Sequence, residues 1–227
     1  MNNWNKMNQL PPTVILWGGT GQAKVVRPII EHYGSKVVAV FDDAPHLPPP
    51  FPDIKLYYGW RGFKKWIMTQ RRKNIGFCVA IGNPHGRIRL KFHEKLIKEG
   101  LQPITISHPA AWIAKNATIG SGCQILAGAI ISPEAKIGIE CIINTNSSID
   151  HECILGDGVE VAPGATLCGL VQVGINAWIG AGATVLPRIK IGPDAIIGAG
   201  AVVTKNVPSR VTAIGIPAKP VKRKKEK

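Results

Sequence analysis

Aromatic residues make up only 6% of this 227-residue sequence, and acidic residues are scarce: 14 Asp and Glu stand against 28 Lys and Arg, a formal net charge of +14. No apolar run reaches the roughly 18 residues that a membrane helix requires, so membrane insertion is not expected. The opening MNNWNKMNQLPP has no apolar core and does not read as a secretory signal. The five cysteines are scattered, with no C-x-x-C, which fits free thiols in a reducing cytoplasm. The basic excess gathers in RGFKKWIMTQRRK (61–73) and KPVKRKKEK (219–227). No nucleic-acid motif accompanies it, so nucleic acid is not an expected partner. A solvated helix face and a basic tail account for it; attraction of a polyanionic small molecule is the alternative reading.

What is present divides into two halves. Residues 13–107 alternate short apolar runs with helical patterns: TVILW (13–17), a GGTG turn, a helix over 22–34, and KVVAVFDD (36–43). A Pro-rich loop (45–52) and a basic helix near 60–73 follow, then a strand at 75–83, a helix over 84–100 and a strand at 101–107. This order predicts an α/β domain with a small parallel sheet of the Rossmann type. GGTGQAK between strand and helix can bring backbone N–H groups and a helix N-terminus to a phosphate. Asp42 and Asp43, at the end of the next strand, can accept hydrogen bonds from a ribose or a nucleobase.

After Ser107 the period changes. Every sixth residue from Ile113 to Val203 is Ile, Leu or Val, without a gap. Six residues at about 100° each rotate a helix face by about 240°, so no helix keeps this pattern on one side. A strand does, because six is even. The residue two places earlier is usually small, with Cys123, Cys141 and Cys153 among them, and Gly often follows the aliphatic residue. Stacked coils of short strands, an all-β parallel β-helix, are the expected architecture. The cysteines in the small slot are expected to pack, not react.

The stretch NTNSSIDHEC (144–153) places a His–Glu pair, His151–Glu152, two residues beyond a ladder position. That is a corner or an outward face, where a histidine is not needed for packing. With GGTGQAKVV, VVAVFDD, VAIGN, IGAGATVLP and the closing IGIPAK, this block resembles the hexapeptide-repeat acyltransferases. Within them it is similar to the bacterial sugar acetyltransferases: sialic acid O-acetyltransferases and N-acetyltransferases of nucleotide-linked 4-amino sugars. The resemblance covers roughly residues 13–220 and implies a left-handed β-helix over 108–207. An N-terminal extension (1–12), the nucleotide-sugar domain (13–107) and a C-terminal segment (208–227) complete the expected layout.

The resemblance implies further assignments. Acetyl-CoA is the acyl donor and no metal is expected. His151 is the general base, an imidazole being able to take a proton near neutral pH. Glu152 is its partner and could reach the ring only at a bend; Asp150 is the competing orienter. Asn144 and Thr145 fall in the site. The nucleotide-linked sugar is held by Thr20, Gly21, Gln22, Asp42, Asp43 and Gly82. Coenzyme A meets Gly169, Ala181, Ala199, Lys205 and Lys219, with Glu160 where many relatives carry a second histidine. Sites shared between subunits imply a homotrimer. N-acetylation of an amino sugar is the leading expectation and O-acetylation of a sugar the next. A non-catalytic β-helix scaffold and an NAD(P)-dependent oxidoreductase are the rivals, the latter without a visible Tyr–Lys or Cys catalytic set.

Overall fold

The structure is a computed structural model that describes residues 9–70, 74–82 and 84–221. Most of the N-terminal extension, positions 71–73 of the basic stretch and the tail from 222 lie outside the described residues. The chain divides into two compact units: Met1–Gly82 with Ile88–Ile106, and Asn83–Arg87 with Ser107–Lys227.

In the first unit, β1 (Thr13–Trp17), β2 (Lys36–Asp42), β3 (Leu56–Tyr58), β4 (Ile75–Val79) and β5 (Gln102–Pro103) form a parallel sheet in the order β3-β2-β1-β4-β5. β1 and β4 are buried along their whole length, as strands covered on both faces are, and this is why they read as unbroken apolar runs. The few aromatic residues are concentrated here. Trp17 stacks on Phe92 at 4.2 Å between ring centroids and on Phe41 at 5.6 Å, with Phe63 and Trp66 in the same core.

The described residues include three helices: α1 (Gly21–His32), α2 (Gly59–Met68) and α3 (Gly86–Lys98). α2 buries Phe63 and Trp66 and leaves Arg61, Lys64 and Lys65 exposed, with Lys64 paired to Glu99 at 2.9 Å. The basic stretch is therefore, over its described part, the solvated face of an amphipathic helix. Two expectations need correction. β3 was not anticipated, because three residues after a proline-rich loop carry no periodicity. The strand expected at 101–107 is broken: Gln102–Pro103 joins the sheet, with Ile104 N–H donating to the Phe77 carbonyl at 3.0 Å, and Ile106–Ser107 forms a separate strand.

The second unit is a three-sided parallel β-helix. Ile131 pairs with Ile149 and Ile149 with Leu167, an offset of 18 residues or three hexads. One face carries two-residue strands from Trp112–Ile113 to Val202–Val203, the second from Thr118–Ile119 to Lys190–Ile191, and the third runs through Gln124–Ile125 to Ile196–Ile197. The second residue of each strand points inward; from Ile125 to Val203 every one is buried. Each such side chain stabilises the fold by roughly 1.5–3 kcal/mol. Thr212–Ile214 continues the third face and pairs antiparallel with Lys219–Val221.

The corners explain the remaining periodicity. In nearly every corner the second turn residue is left-handed. Glycine serves at 122, 128, 158, 164, 182 and 200, and Glu134, Glu140, Asn146, Glu152, Leu170, Asn176, Arg188 and Asp194 serve elsewhere with φ between 52° and 65°. Glycines that follow the aliphatic residue have a different reason. At Gly120, Gly156, Gly174 and Gly192 a Cβ would lie 2.4–2.8 Å from backbone atoms of the next coil.

Asn83–Arg87 belongs to this unit through one cluster. The Arg87 guanidinium donates to both carboxylate oxygens of Asp194, at 2.7 and 2.6 Å. Asn176 accepts from the Arg87 N–H at 2.9 Å and donates to Asp194 at 2.8 Å. The Arg87 hydrogen bond, opposed by burial and helped by Asn176, holds the Asp194 carboxyl down at about 2. A depressed carboxylate pKa contributes stability that is complete above the unfolded value of about 4 and lost as pH falls through the folded one. Asp194→Asn is expected to lower Tm by about 1–3 °C at pH 7. The gap to wild type is expected to close between about pH 4 and pH 2, read by thermal melts across that range.

Candidate active site

His151 and Glu152 occupy the turn between the strands Ser148–Ile149 and Ile154–Leu155, the corner joining the first face to the second. On a straight strand these neighbours would point to opposite sides. The left-handed backbone of Glu152, φ 58°, removes that restriction, and its Oε2 lies 3.0 Å from His151 Nδ1. A carboxylate only accepts, so Nδ1–H is the donor and Nε2 carries the lone pair. Both side chains are about half exposed, 51% and 49%. The competing carboxylate acts elsewhere: Asp150 Oδ1 accepts from the backbone N–H of His151 at 2.7 Å.

Gly169 lies one coil on from His151 and is buried against the imidazole. A Cβ there would sit 2.4 Å from Nε2 and 2.6 Å from Cε1. The ring edge carrying the free nitrogen thus fills the space that any other residue would need. The strand ladder fixes the relation, since Leu170 N–H donates to the His151 carbonyl at 2.9 Å and Arg188 N–H to the Gly169 carbonyl at 3.0 Å. Gly169 was expected as a coenzyme contact; the structure makes it the seat of the imidazole.

The thiols near the site are closed off. Cys153 is buried and its Sγ–H donates to the Cys168 carbonyl at 3.2 Å. Burial pushes the Cys153 thiol up to about 11 and also raises Cys123 and Cys168, so none is a ready thiolate.

Asn144 and Thr145 stand at the preceding corner, between the third and first faces. Asn144 Oδ1 accepts from Thr145 N–H at 2.8 Å, so its amide NH₂ is the part left to meet a ligand acceptor. Ala181 and Ala199 lie two and three coils along this same corner and are exposed. The outward residues of the first face between the two corners are small and polar, Ser148, Thr166 and Thr184. Three expected coenzyme contacts stand apart from this group. Glu160 is 3% exposed on the third face, which shuts its carboxylate away from a surface ligand in this chain. Lys205 and Lys219 are exposed near the C-terminal end of the β-helix.

In the first unit, the expected nucleotide residues gather at the carboxyl ends of β1, β2 and β4. Thr20 is the N-cap of α1 without a side-chain cap bond, no acidic residue stands in the first turn, and Gly21 opens the helix. Gln22 and Gly82 are half-buried. The two aspartates differ. Asp42 is used by the fold: its oxygens accept from Gly19 N–H at 2.7 Å and Ala44 N–H at 2.8 Å. Asp43 is exposed, and partial burial together with the Asp42 charge raises its carboxyl, against the pull of Lys95 and Lys91. Of the pair, Asp43 is the one presenting a carboxylate outward.

Comparison with known proteins matches this geometry. The family described as bacterial transferase hexapeptide (six repeats) matches residues 171–205, and the PglD N-terminal domain matches residues 13–96. GDP-perosamine N-acetyltransferase of Escherichia coli is 41% identical over 102 residues, 45% of each chain. UDP-N-acetylbacillosamine N-acetyltransferase of Bacillus subtilis is 37% identical over 124 residues, 50% of this chain and 51% of that one. The matched stretch spans about half the length of these curated relatives. A solved structure covers more. The histidine-to-asparagine variant of perosamine N-acetyltransferase from Caulobacter crescentus, in complex with CoA and GDP-perosamine, is 32% identical with a TM-score of 0.84. That alignment covers 92% of this chain and 97% of the Caulobacter chain. Fold and site together define a Rossmann-like sheet joined to a left-handed β-helix. The chain belongs to the hexapeptide-repeat bacterial sugar acetyltransferases, in the branch with a PglD-type N-terminal domain.

Because the atoms a Cβ would meet at Gly169 are the far end of a side chain, Gly169→Ala is expected to fold with nearly unchanged Tm while turning the imidazole aside. A displaced base costs about a hundredfold in kcat. Steady-state rates and a crystal structure of the variant, showing whether Nε2 has moved, check both parts.

Proposed function

We propose that this protein transfers the acetyl group of acetyl-CoA to the amine of a nucleotide-linked amino sugar, with His151 as general base. The observation that carries the proposal is the state of the imidazole. Nδ1 is held by Glu152 at 3.0 Å, and Nε2 stands over Gly169 with its lone pair free. The acyl donor supplies an activated carbonyl when bound. Nε2 takes the proton that the amine sheds as its nitrogen bonds to the acyl carbon, Glu152 stabilises the imidazolium that results, and the thioester C–S bond breaks as the coenzyme A sulfur leaves and takes up a proton as the free thiol. Burial raises the Cys153 and Cys168 thiols near this corner, which favours direct transfer over a thiol acyl carrier. The sugar nucleotide is held at the strand ends of the first unit by Thr20, Gly21, Gln22, Asp43 and Gly82, with Asp42 shaping the turn. GDP-perosamine, the ligand of the Caulobacter relative, is the first candidate substrate.

Coenzyme A lies along the first face in this reading, between the corner of Thr145, Ala181 and Ala199 and that of His151 and Gly169. The same face exposes Trp112 and Ile130, 55% and 42%, which favours covering by a second copy of the chain and supports a trimer. No helix among the described residues is long and apolar enough to cross a membrane.

The test is release of coenzyme A thiol from acetyl-CoA with GDP-, UDP- and CMP-linked sugars, with and without a 4-amino group. Release is expected with an amino sugar and to fall by about 10²–10⁴ in His151→Ala. Release with hydroxyl sugars alone would move the reaction to O-acetylation. Wild-type rates in the histidine variant would refute the base.

A further inference from the structure

We propose that Asp150 is a positioning residue for His151: its carboxylate fastens the backbone of the base, a task the β-helix itself leaves undone. The inference rests on the reading of His151 as the base.

The reason lies in the corner geometry. Inter-coil hydrogen bonds employ the N–H of the residue before each turn and of the second turn residue: Asp150 to Leu167 O, Glu152 to Pro133 O. The first turn residue is not part of this ladder. Proline confirms it, since Pro133, Pro163, Pro187 and Pro193 fill the same place at other corners and have no N–H to give. The fold therefore does not require a partner for the N–H of His151.

It has one nonetheless. Asp150 Oδ1 accepts it at 2.7 Å; among the described corners one other is capped by the residue before its turn, Asn144 Oδ1 accepting from Thr145 N–H at 2.8 Å, while at a third the Ile139 N–H is met from the next coil by Asp157 Oδ1 at 2.9 Å. At the other corners from 114 to 198 the residue before the turn is Gly, Ala, Cys, Leu, or a serine that precedes a proline. The two capped corners flank the first face, where the candidate acyl site lies. With Asp150 on its N–H, Leu170 on its carbonyl and Glu152 on Nδ1, His151 is held at three points and only Nε2 is left to act. The two carboxylates thus divide the work: Glu152 tunes the ring, and Asp150 holds the peptide that carries it.

Asn also accepts through Oδ1 but bears no charge, so it separates the two roles. Asp150→Ala, Asp150→Asn, Glu152→Gln and His151→Ala are compared for Tm, kcat, KM for acetyl-CoA and the pH dependence of kcat/KM. Asp150→Ala is expected to keep the wild-type Tm within about 2 °C and the same KM, and to lose about tenfold or more in kcat, as a loosened base does. Asp150→Asn restores kcat to within a few-fold of wild type. Glu152→Gln moves the rising limb of the pH profile to lower pH, because the imidazole loses the charge that raises its basicity; Asp150→Asn leaves the limb in place. The proposal is overturned if Asp150→Ala is fully active, if it fails to fold, or if Asp150→Asn is as impaired as Asp150→Ala. Full activity in His151→Ala would instead remove the reading of the base.

Discussion

The left-handed turn residue is the constraint on which the second unit depends. A coil of three two-residue strands closes only if the chain changes direction every six residues, and at nearly every corner it does so by placing one residue at positive φ. Forcing this on a side chain with a Cβ costs roughly 1–2 kcal/mol, which Gly, Asn and Asp reduce. Glu152 accepts that cost and gains a position no strand offers: its carboxylate meets the side chain immediately before it. The His151–Glu152 contact is a by-product of how a triangular coil turns. It can be built only at a corner, where the side chains also face outward to a ligand.

Exposure sets what that contact is worth. With both groups about half exposed, water screens their attraction, and an open pair of this kind contributes little. Covering the first face with a substrate or a second copy would remove that water and strengthen the same geometry. The buried part of the site, Gly169 and the ladder around it, sets the ring's place before anything binds. In the proposed reaction the exposed part gains strength only once the acyl and amine groups have displaced solvent.

Much of this was legible in sequence. The sixfold ladder specified the β-helix because no helical period mimics it, and the strand–turn–helix alternation specified the parallel sheet. The corners were legible too, in Gly, Asn and Asp recurring at 122, 128, 146, 158, 164, 176, 182, 194 and 200, a signal overlaid by the more regular glycines one place after the ladder. The division of labour within Asp42–Asp43 and within Asp150–Glu152 was not legible. Adjacent carboxylates are equivalent on paper, and only backbone direction decides that Asp42 closes on Gly19 while Asp43 faces outward. Glu160 shows the same limit. The resemblance suggested a ligand contact there, whereas burial on the third face is a matter of what packs over a strand.

Charge links the two units in the proposed reaction. Both proposed substrates carry phosphates, and the chain carries a net charge of +14. Such an excess raises the local concentration of anions at a surface and speeds their arrival, and it does so less as salt rises. A site that ends in a carboxylate pair, Asp150 and Glu152, would by itself repel these ligands. The compensating lysines and arginines need not touch the reacting atoms, because a field acts over a Debye length of about 8 Å at physiological salt. In the proposed reaction, the negative charge of Asp150 and Glu152 beside His151 is thereby offset by the basic excess of the chain as a whole.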